Sequence, residues 1–344
     1  MINQFKVKFK LNFSSKMERL PTLDILAAAT DTVIRSGMHF RTPMLKEAQD
    51  MFGLKDDIHL YLKLENMQNT GSFKIRGIAN QLANLPPSIG TKENKLISMS
   101  AGNYGKSFAY ATEKHGLAGV ILMPVSAPDN RATVIESYGV KVERYPTAQL
   151  QSKIDEYVKS EGMFFCHSFD DPYLIHGHSS LGFEILEDCP DPDVVVICCG
   201  GGGLLAGTAA AIRLSGNTKC RIYGVEPEGA ASMYKSFKEG KAVGLPTASS
   251  VASGLAPPYA GKLAYHYCKN YIDDIILVSD EEILRTMLRL YSRGLVVEAS
   301  GCAAFTALFE RKIPNGFGKK IVIVVTGGNV TAEEMYQHKI NIKG

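Results

Sequence analysis

One lysine of this sequence, Lys74, is predicted to lie where its surroundings would change the charge of its amine. Lys74 follows a turn containing Gly71 and precedes apolar residues at helical spacing, so we predict that it lies in the first turn of a helix. The helix dipole disfavours a cation there, and burial would lower the pKa of the amine. A neutral lysine amine is the form that makes a Schiff base with an aldehyde. The alternative is an ordinary lysine that extends into solvent.

A run of four glycines is the second candidate site. It follows residues 194–199, an apolar run typical of a buried parallel strand, and precedes a predicted helix that begins at Leu204. Without Cβ atoms, successive backbone N–H groups can surround an anion at the start of a helix. We therefore predict that a phosphate group binds this run, which consists of Gly200, Gly201, Gly202 and Gly203.

The same glycines also fit a different class of protein. Gly201, Gly203 and Ala206 match the G-x-G-x-x-A pattern of nicotinamide-dinucleotide folds, and Glu226 ends the next predicted strand, where such folds bind ribose. The motif lies far from the first strand of a domain, however, and four glycines suit a single phosphate that needs many donors. A nicotinamide oxidoreductase therefore remains the alternative from another class.

Two further segments each end a predicted strand and begin a helix or a turn. The first could bind a carboxylate through backbone amides and an asparagine side chain, and consists of Ser100, Ala101, Gly102 and Asn103. The second, residues 326–329, places the hydroxyl of Thr326 at the end of the last strand. Each alone could be an ordinary capped turn. Because sites in parallel sheets lie beyond the carboxyl ends of the strands, all the motifs could face one crevice.

The order of predicted elements favours an α/β fold with two domains. Strands and helices alternate along most of the chain, which predicts open, mostly parallel, twisted sheets covered by helices. We predict a small domain over residues 94–172 and a large domain built from residues 1–93 and 173–344. A long segment rich in Gly, Pro and Ser, residues 241–260, is predicted to be a functional loop.

Composition limits which partners the protein could bind and in which compartment it could work. The 344 residues carry a net charge of +3, too small to indicate nucleic acid, and no apolar run is long enough to span a membrane. Seven cysteines without a CxxC pair indicate buried, reduced thiols and a cytoplasmic protein. Residues 1–16 alternate like a strand and lack arginine, unlike a transit peptide, although targeting to an organelle stays open.

Together these motifs resemble the pyridoxal-phosphate-dependent serine/threonine dehydratases, a group that includes serine racemase and has the tryptophan-synthase-β-like fold, fold type II. The resemblance extends from about Arg41 to Asn329 and is carried by residues 69–77, 100–103, 200–203 and 326–329. It implies that the large domain binds pyridoxal 5'-phosphate and that the small domain carries the loop for the substrate carboxylate.

The resemblance also implies a role for each motif residue. Lys74 would bind the cofactor covalently, Phe73 would pack beside its ring, and Asn103 would contact the ring hydroxyl. The four glycines with Leu204 would hold the phosphate, and Thr326 would bond the ring nitrogen. The substrate carboxylate would lie on Ser100, Ala101, Gly102 and Asn103, while Gly254 and Glu298 would border the substrate pocket beside the cofactor.

The implied reaction is removal of the β-hydroxyl and the amine of L-serine or L-threonine, giving a 2-oxo acid and ammonia. Serine racemase and 3-hydroxyaspartate dehydratase are alternatives within the family, and a non-catalytic relative is a third possibility. Racemases of the group carry a second serine where this chain has Ala101, so dehydration is favoured. The 15 residues that follow Asn329 are too few for the regulatory domain of biosynthetic threonine deaminases, so a catabolic role is expected. The family further implies a homodimer.

The resemblance also bears on a divalent metal. The family often holds one near positions that correspond here to Glu226, Ala230 and Ser232. The third position is usually acidic, so the serine removes a charged ligand and predicts weak binding of a hard cation. His178, where the family more often has glutamine, is expected to lie in a pocket wall or at the start of a helix.

Overall fold

The computed structural model describes residues 19–54, 58–89, 95–314 and 319–343 of the chain. These residues form a six-stranded and a four-stranded sheet, and every strand pair is parallel except the pair at the edge of the larger sheet. In chain order the strands are β1 (Met44–Leu45), β2 (Ile58–Leu64), β3 (Leu96–Met99), β4 (Gly119–Pro124), β5 (Lys141–Tyr145), β6 (Phe164–Phe165), β7 (Val194–Cys198), β8 (Arg221–Pro227), β9 (Asp274–Val278) and β10 (Lys319–Val325).

The larger sheet has the order β1-β2-β10-β7-β8-β9, and the smaller has the order β5-β4-β3-β6. Helices cover both sheets. They are α1 (Leu23–Arg35), α2 (Lys74–Ala83), α3 (Asn103–His115), α4 (Asp129–Glu136), α5 (Leu150–Glu161), α6 (Pro172–Asp188), α7 (Gly203–Leu214), α8 (Ser232–Glu239), α9 (Lys262–Tyr271), α10 (Asp280–Tyr291), α11 (Ala299–Phe309) and α12 (Ala332–Lys343).

Strand β7 and residues 321–325 of β10, in the centre of the larger sheet, are apolar at every position because both of their faces are buried. Alternate residues of β7 and β10 enter two different cores. One face, including Val196 and Ile323, packs with α10 and α11. The other face, including Val195 and Val322, packs with α6, α7 and α9. This sandwich fixes the carboxyl ends of β7 and β10, where the glycine run and Thr326 begin.

Helix α2 connects the two sheets. Its apolar residues, such as Ile75 and Ile78, share a core with Leu96 and Ile121 of the smaller sheet. The helix also packs on α6, which covers one face of the larger sheet. The first residue of α2 therefore lies between the two halves of the molecule.

The predicted α/β class with mostly parallel sheets is confirmed. The domain limits stay a prediction, and residues 1–16, expected to be a loosely ordered leader or an added edge strand, lie outside the described residues. The sequence also predicts a strand over residues 163–169, and β6 lies within this range but has only two residues. The chain turns after β6 because the backbone N–H groups of Phe169 and Asp170 bond to Nδ1 of His167. Helix α1 and strand β1 were not predicted.

All seven cysteines are free and buried, as predicted. Over the described ranges, no helix is both long and apolar enough to cross a membrane. The segment 241–260 is largely irregular, with one short turn of 3₁₀ helix, Ser253–Leu255, and one bridge between Gly244 and Tyr259. The predicted loop is therefore confirmed, and its functional role stays a prediction.

Candidate active site

The turn before Lys74 is fastened to the end of strand β10. Phe73 N donates to Thr326 O at 3.1 Å, and Gly328 N donates to Gly71 O at 2.9 Å. Gly71 has a φ of +75°, and a Cβ there would overlap the side chain of Asn329. The turn thus requires glycine for both its conformation and its close contact. Lys74 follows as the first residue of α2, as predicted.

The amine of Lys74 points inward, although part of its side chain remains accessible. Its Nζ donates to Ser168 O at 2.7 Å and lies 5.2 Å and 5.6 Å from the ring centroids of Phe73 and Tyr104. Within the described ranges no carboxylate forms an ion pair with it. Burial therefore lowers the pKa of Lys74 from 10.5 to about 7. The predicted lowering is confirmed, and a large share of this amine is neutral at physiological pH.

The glycine run is enclosed by neighbouring segments. Gly202 has a φ of +96°, and α7 begins at Gly203, so the first-turn N–H groups lack partners within the helix. A Cβ on Gly201 would overlap the ring of Phe169, and one on Gly203 would collide with the Phe169 carbonyl. Side chains are thus excluded for steric reasons, and the loop presents backbone donors, which fits an anion such as a phosphate.

The loop after β3 meets the loop after β10. Ser100 Oγ accepts from Gly102 N at 3.2 Å and from Gly105 N at 3.1 Å, which fixes the turn before α3. Asn103 Nδ2 donates to Glu298 Oε1, and Asn329 Nδ2 donates to Asn103 Oδ1 at 2.7 Å. The predicted carboxylate loop and the Thr326 segment therefore lie together.

Glu298 is the acidic group of this site. It precedes α11, and Gly327 lies so close to its carboxyl that a Cβ there would collide with it. Burial raises the pKa of Glu298 to about 7. An interior carboxyl that titrates near neutrality is characteristic of functional sites.

Gly254 and Thr326 complete the set. Gly254 N donates to Ser300 Oγ at 2.9 Å, and its carbonyl lies against Gly200. Thr326 is buried at the end of β10, and its backbone N donates to Gly301 O at 3.3 Å. The structure therefore brings the cofactor and substrate residues inferred from the resemblance to one region between the sheets, although their roles stay predictions.

The positions considered for a metal have a different arrangement. Glu226 accepts the N–H groups of Met233 and Tyr234, both at 2.8 Å, and the hydroxyl of Ser232 at 3.4 Å. Its carboxyl therefore caps α8, and burial raises its pKa to about 7. Ala230 precedes this helix. No group of three or more His, Cys, Asp or Glu side chains able to hold a metal occurs among the described residues.

Several residues near Lys74 were missed or misplaced by sequence reasoning. The Ser168 carbonyl and the Tyr104 ring lie beside its amine, but they come from other parts of the chain, and no local pattern marks them as its neighbours. His178 lies in the middle of α6 rather than at its start, so that part of the prediction is wrong. Its ring is buried and packs on Phe73 with a centroid distance of 5.1 Å.

Comparison with known proteins gives consistent matches. Residues 36–327 match the family model for pyridoxal-phosphate dependent enzymes. The chain is 34% identical over 321 residues to the catabolic L-threonine dehydratase TdcB of Escherichia coli K12, covering 91% of this chain and 96% of that protein. It is 36% identical over 281 residues to the L-threonine ammonia-lyase of Thermotoga maritima, covering 79% and 67%.

A solved structure agrees with these relatives. The structure of maize serine racemase superposes with a TM-score of 0.83 at 27% identity, covering 94% of this chain and 98% of that one. These matches favour the single-phosphate interpretation of the glycine run over the nicotinamide one.

Proposed function

Because this chain belongs to the family of pyridoxal-phosphate-dependent enzymes, we propose that it is an ammonia-lyase acting on L-threonine or L-serine. The products are a 2-oxo acid and ammonia. The observation that carries the proposal is the partly neutral amine of Lys74, which lies between two aromatic rings close to a glycine cradle for a phosphate. The relatives named as threonine dehydratase and ammonia-lyase support the choice of substrate class.

The residues present suit the cofactor. The glycine cradle would hold its phosphate, Phe73 its ring and Lys74 its aldehyde carbon, with Asn103 at the ring hydroxyl and Thr326 at the ring nitrogen. The hydroxyl of Thr326 is neutral, so it would leave that nitrogen unprotonated. Bound there, pyridoxal phosphate withdraws electrons from the α-carbon of an amino acid.

Proton transfer is the task of Lys74. A pKa of about 7 leaves its amine free to accept the α-proton at physiological pH, and the same amine can later return a proton. The Ser168 carbonyl, 2.7 Å from Nζ, fixes the direction of the amine. Burial of the amine beside Phe73 and Tyr104 favours its uncharged form.

The substrate carboxylate is assigned to residues 100–103, at the start of α3. A helix start stabilises a negative group through its free N–H donors and its dipole. Ala101 has only a methyl group and cannot deliver a proton to the opposite face of the α-carbon. We therefore favour elimination over racemisation.

Two further features belong to the proposal. We infer a homodimer, the state common in the family, which light scattering of the eluting protein would test. We also infer a cytoplasmic location, which the seven free thiols support because reducing compartments preserve them. Microscopy of the full chain fused to a fluorescent protein would test the location.

The test of the function measures 2-oxo acid release from L-threonine, L-serine and 3-hydroxyaspartate. Purified protein is expected to be yellow and to lose its colour with borohydride, and Lys74→Ala should abolish both the colour and the product. Lys114→Ala is the matched control, since Lys114 also lies beside a tyrosine ring, at 5.5 Å from Tyr110, but is exposed on α3. A yellow Lys74→Ala protein with full activity would contradict the proposal.

A further inference from the structure

A tight turn follows strand β6, and His167 holds it together. The ring Nδ1 accepts the backbone N–H of Asp170 at 2.9 Å and of Phe169 at 3.3 Å. Both donors need a lone pair, so Nδ1 carries no proton and the neutral ring is protonated at Nε2. Nε2 then donates to the hydroxyl of Tyr259 at 3.1 Å. The His167 ring is buried, and burial lowers its pKa to about 4.

The residues inside this turn serve two parts of the active site. The carbonyl of Ser168 accepts the hydrogen bond from Lys74 Nζ at 2.7 Å. The ring of Phe169 occupies the space in front of Gly201, and its carbonyl lies against Gly203. One short turn therefore sets both the direction of the amine and the shape of the phosphate cradle.

Tyr259 connects the turn to the loop 241–260. Its ring packs on Phe169 with a centroid distance of 5.3 Å. Two residues later, Gly261 N donates to Gly201 O at 3.0 Å. Asp170, the last residue of the turn, accepts the N–H groups of the first turn of α9, which follows directly. The loop and the turn are thus fastened to each other at several points.

We propose that His167 is a positioning residue for Lys74, and that its hydrogen bond to Tyr259 couples the loop 241–260 to the amine. This inference rests on the proposed function, because it assumes that the Lys74 amine is the reacting group. Among the described residues, no hydrogen bond joins the His167 ring to the amine or to residues 100–103. It acts by holding the Ser168 carbonyl in line with Nζ.

The proposal predicts a direction for the pKa of Lys74. A carbonyl that accepts from Nζ stabilises the ammonium form, so moving that carbonyl away lowers the pKa further. Loss of one hydrogen bond to a charged group corresponds to a shift of about one unit. The freed amine also loses its alignment, so kcat is expected to fall while KM changes little, since the substrate loop lies elsewhere.

Three variants separate the two bonds of the His167 ring. His167→Asn keeps an acceptor near the position of Nδ1 and loses the donor to Tyr259. His167→Gln can reach Tyr259 but has no acceptor near Nδ1. Tyr259→Phe keeps the histidine and removes its partner. The expected shift of the Lys74 pKa is largest in His167→Gln and smaller in the other two.

The chain offers a matched control in a second His–Tyr pair. His176 Nε2 lies 3.0 Å from the hydroxyl of Tyr267, and this pair joins α6 to α9 without bonding to the turn 167–170. His176→Asn and Tyr267→Phe remove an equivalent hydrogen bond. They are expected to leave the pKa of Lys74 unchanged.

The measurement is the pH dependence with which an amine reagent labels Lys74 in the full-length, cofactor-free chain, read by mass spectrometry of the peptide. The pH profile of kcat in the cofactor-loaded enzyme is the second readout. A lower labelling pKa in His167→Gln, with none in the His176 control, supports the proposal. Equal values in His167→Gln and wild type overturn it. If His167→Gln does not fold, an unshifted Tyr259→Phe overturns it instead.

These outcomes are distinct from failure of the proposed function. Labelling requires neither substrate nor turnover. A protein that releases no 2-oxo acid from hydroxy amino acids would contradict the proposed activity, while the labelling of Lys74 would still decide the role of His167.

Discussion

Lys74 acquires its reactivity from groups that are distant in the sequence. The sequence predicted its place at the start of a helix and the lowering of its pKa by burial, because both follow from the local pattern. It did not predict the Ser168 carbonyl or the Tyr104 ring, since a carbonyl has no residue-type signature and the ring arrives from another helix. Local motifs therefore identify the reacting group, whereas tertiary contacts determine how it is tuned.

The activity is expected to rise with pH through about 7. Lys74 must be neutral to accept a proton, and its pKa of about 7 means that the neutral form is lost as the pH falls below this value. Glu298 titrates in the same range, so Glu298→Gln serves as the control that removes the second ionisation. The acid limb of the kcat profile should persist near pH 7 in Glu298→Gln. Its disappearance there would assign the limb to Glu298 instead.

Gly201→Ala is expected to weaken cofactor binding. The added methyl group would overlap the Phe169 ring, and overpacking of this kind costs about 1–3 kcal/mol. If the strain is relieved by moving the cradle, affinity falls by about tenfold to a hundredfold. Titration of the visible absorbance with pyridoxal phosphate measures the affinity for this cofactor. Phe169→Leu combined with Gly201→Ala should recover part of the loss, and no recovery would contradict the steric explanation.

At the scale of elements, a buried ionic network anchors helix α2. The guanidinium of Arg76 is fully buried and makes paired hydrogen bonds to the carboxylates of Glu65 and Glu184, at 2.7 to 2.8 Å. Lys63 adds a second cation 2.8 Å from Glu184. The network joins β2, α2 and α6, so it fixes the helix that presents Lys74.

Arg76→Met is expected to destabilise the protein by about 3–5 kcal/mol, because removing the guanidinium leaves the buried carboxylate of Glu65 without a counter-charge. Urea unfolding measures the change in free energy. Arg35→Met is the control, since the exposed Arg35 makes an i,i+4 ion pair with Asp31 at 4.0 Å and a hydrogen bond to the Asp31 carbonyl at 3.3 Å, and such exposed pairs contribute under about 1 kcal/mol. Equal losses in the two variants would show that the network contributes no more than a surface pair.

Most helices and long strands were predictable because apolar periodicity marks them. The predicted strand 194–199 ends one residue after β7, and the helix predicted from Leu204 begins one residue after the start of α7. The length of strand β6 was overestimated because residues 163–169 are rich in aromatic side chains, which are common in strands. The chain leaves the sheet there through hydrogen bonds to the His167 ring, and such a side-chain bond has no periodicity to detect.

At the scale of the whole molecule, the candidate site lies between the two sheets. Lys74 and the glycine cradle follow strands of the larger sheet, and residues 100–103 follow β3 of the smaller one. The relative position of the sheets was not predictable from the sequence, because it depends on how α2 and α6 pack. A ligand that touches both halves is expected to hold them together.

Pyridoxal phosphate is therefore expected to raise the melting temperature of the cofactor-free protein. A ligand that binds only the folded state stabilises it by about 2.7 kcal/mol at a hundredfold excess over its Kd. Differential scanning fluorimetry at increasing cofactor concentration measures the rise. Lys74→Ala, which lacks the covalent bond, should show a smaller rise at each concentration. An unchanged melting temperature in the wild type would contradict binding at this site.

The position of β10 has a consequence for biosynthesis. This last strand lies between β2 and β7, so the middle of the larger sheet is completed only when residues 319–325 have left the ribosome. The smaller sheet uses one continuous segment, residues 96–165, and can assemble while translation continues. Until then β2 and β7 have unpaired edges, and nascent chains are exposed to aggregation during that interval.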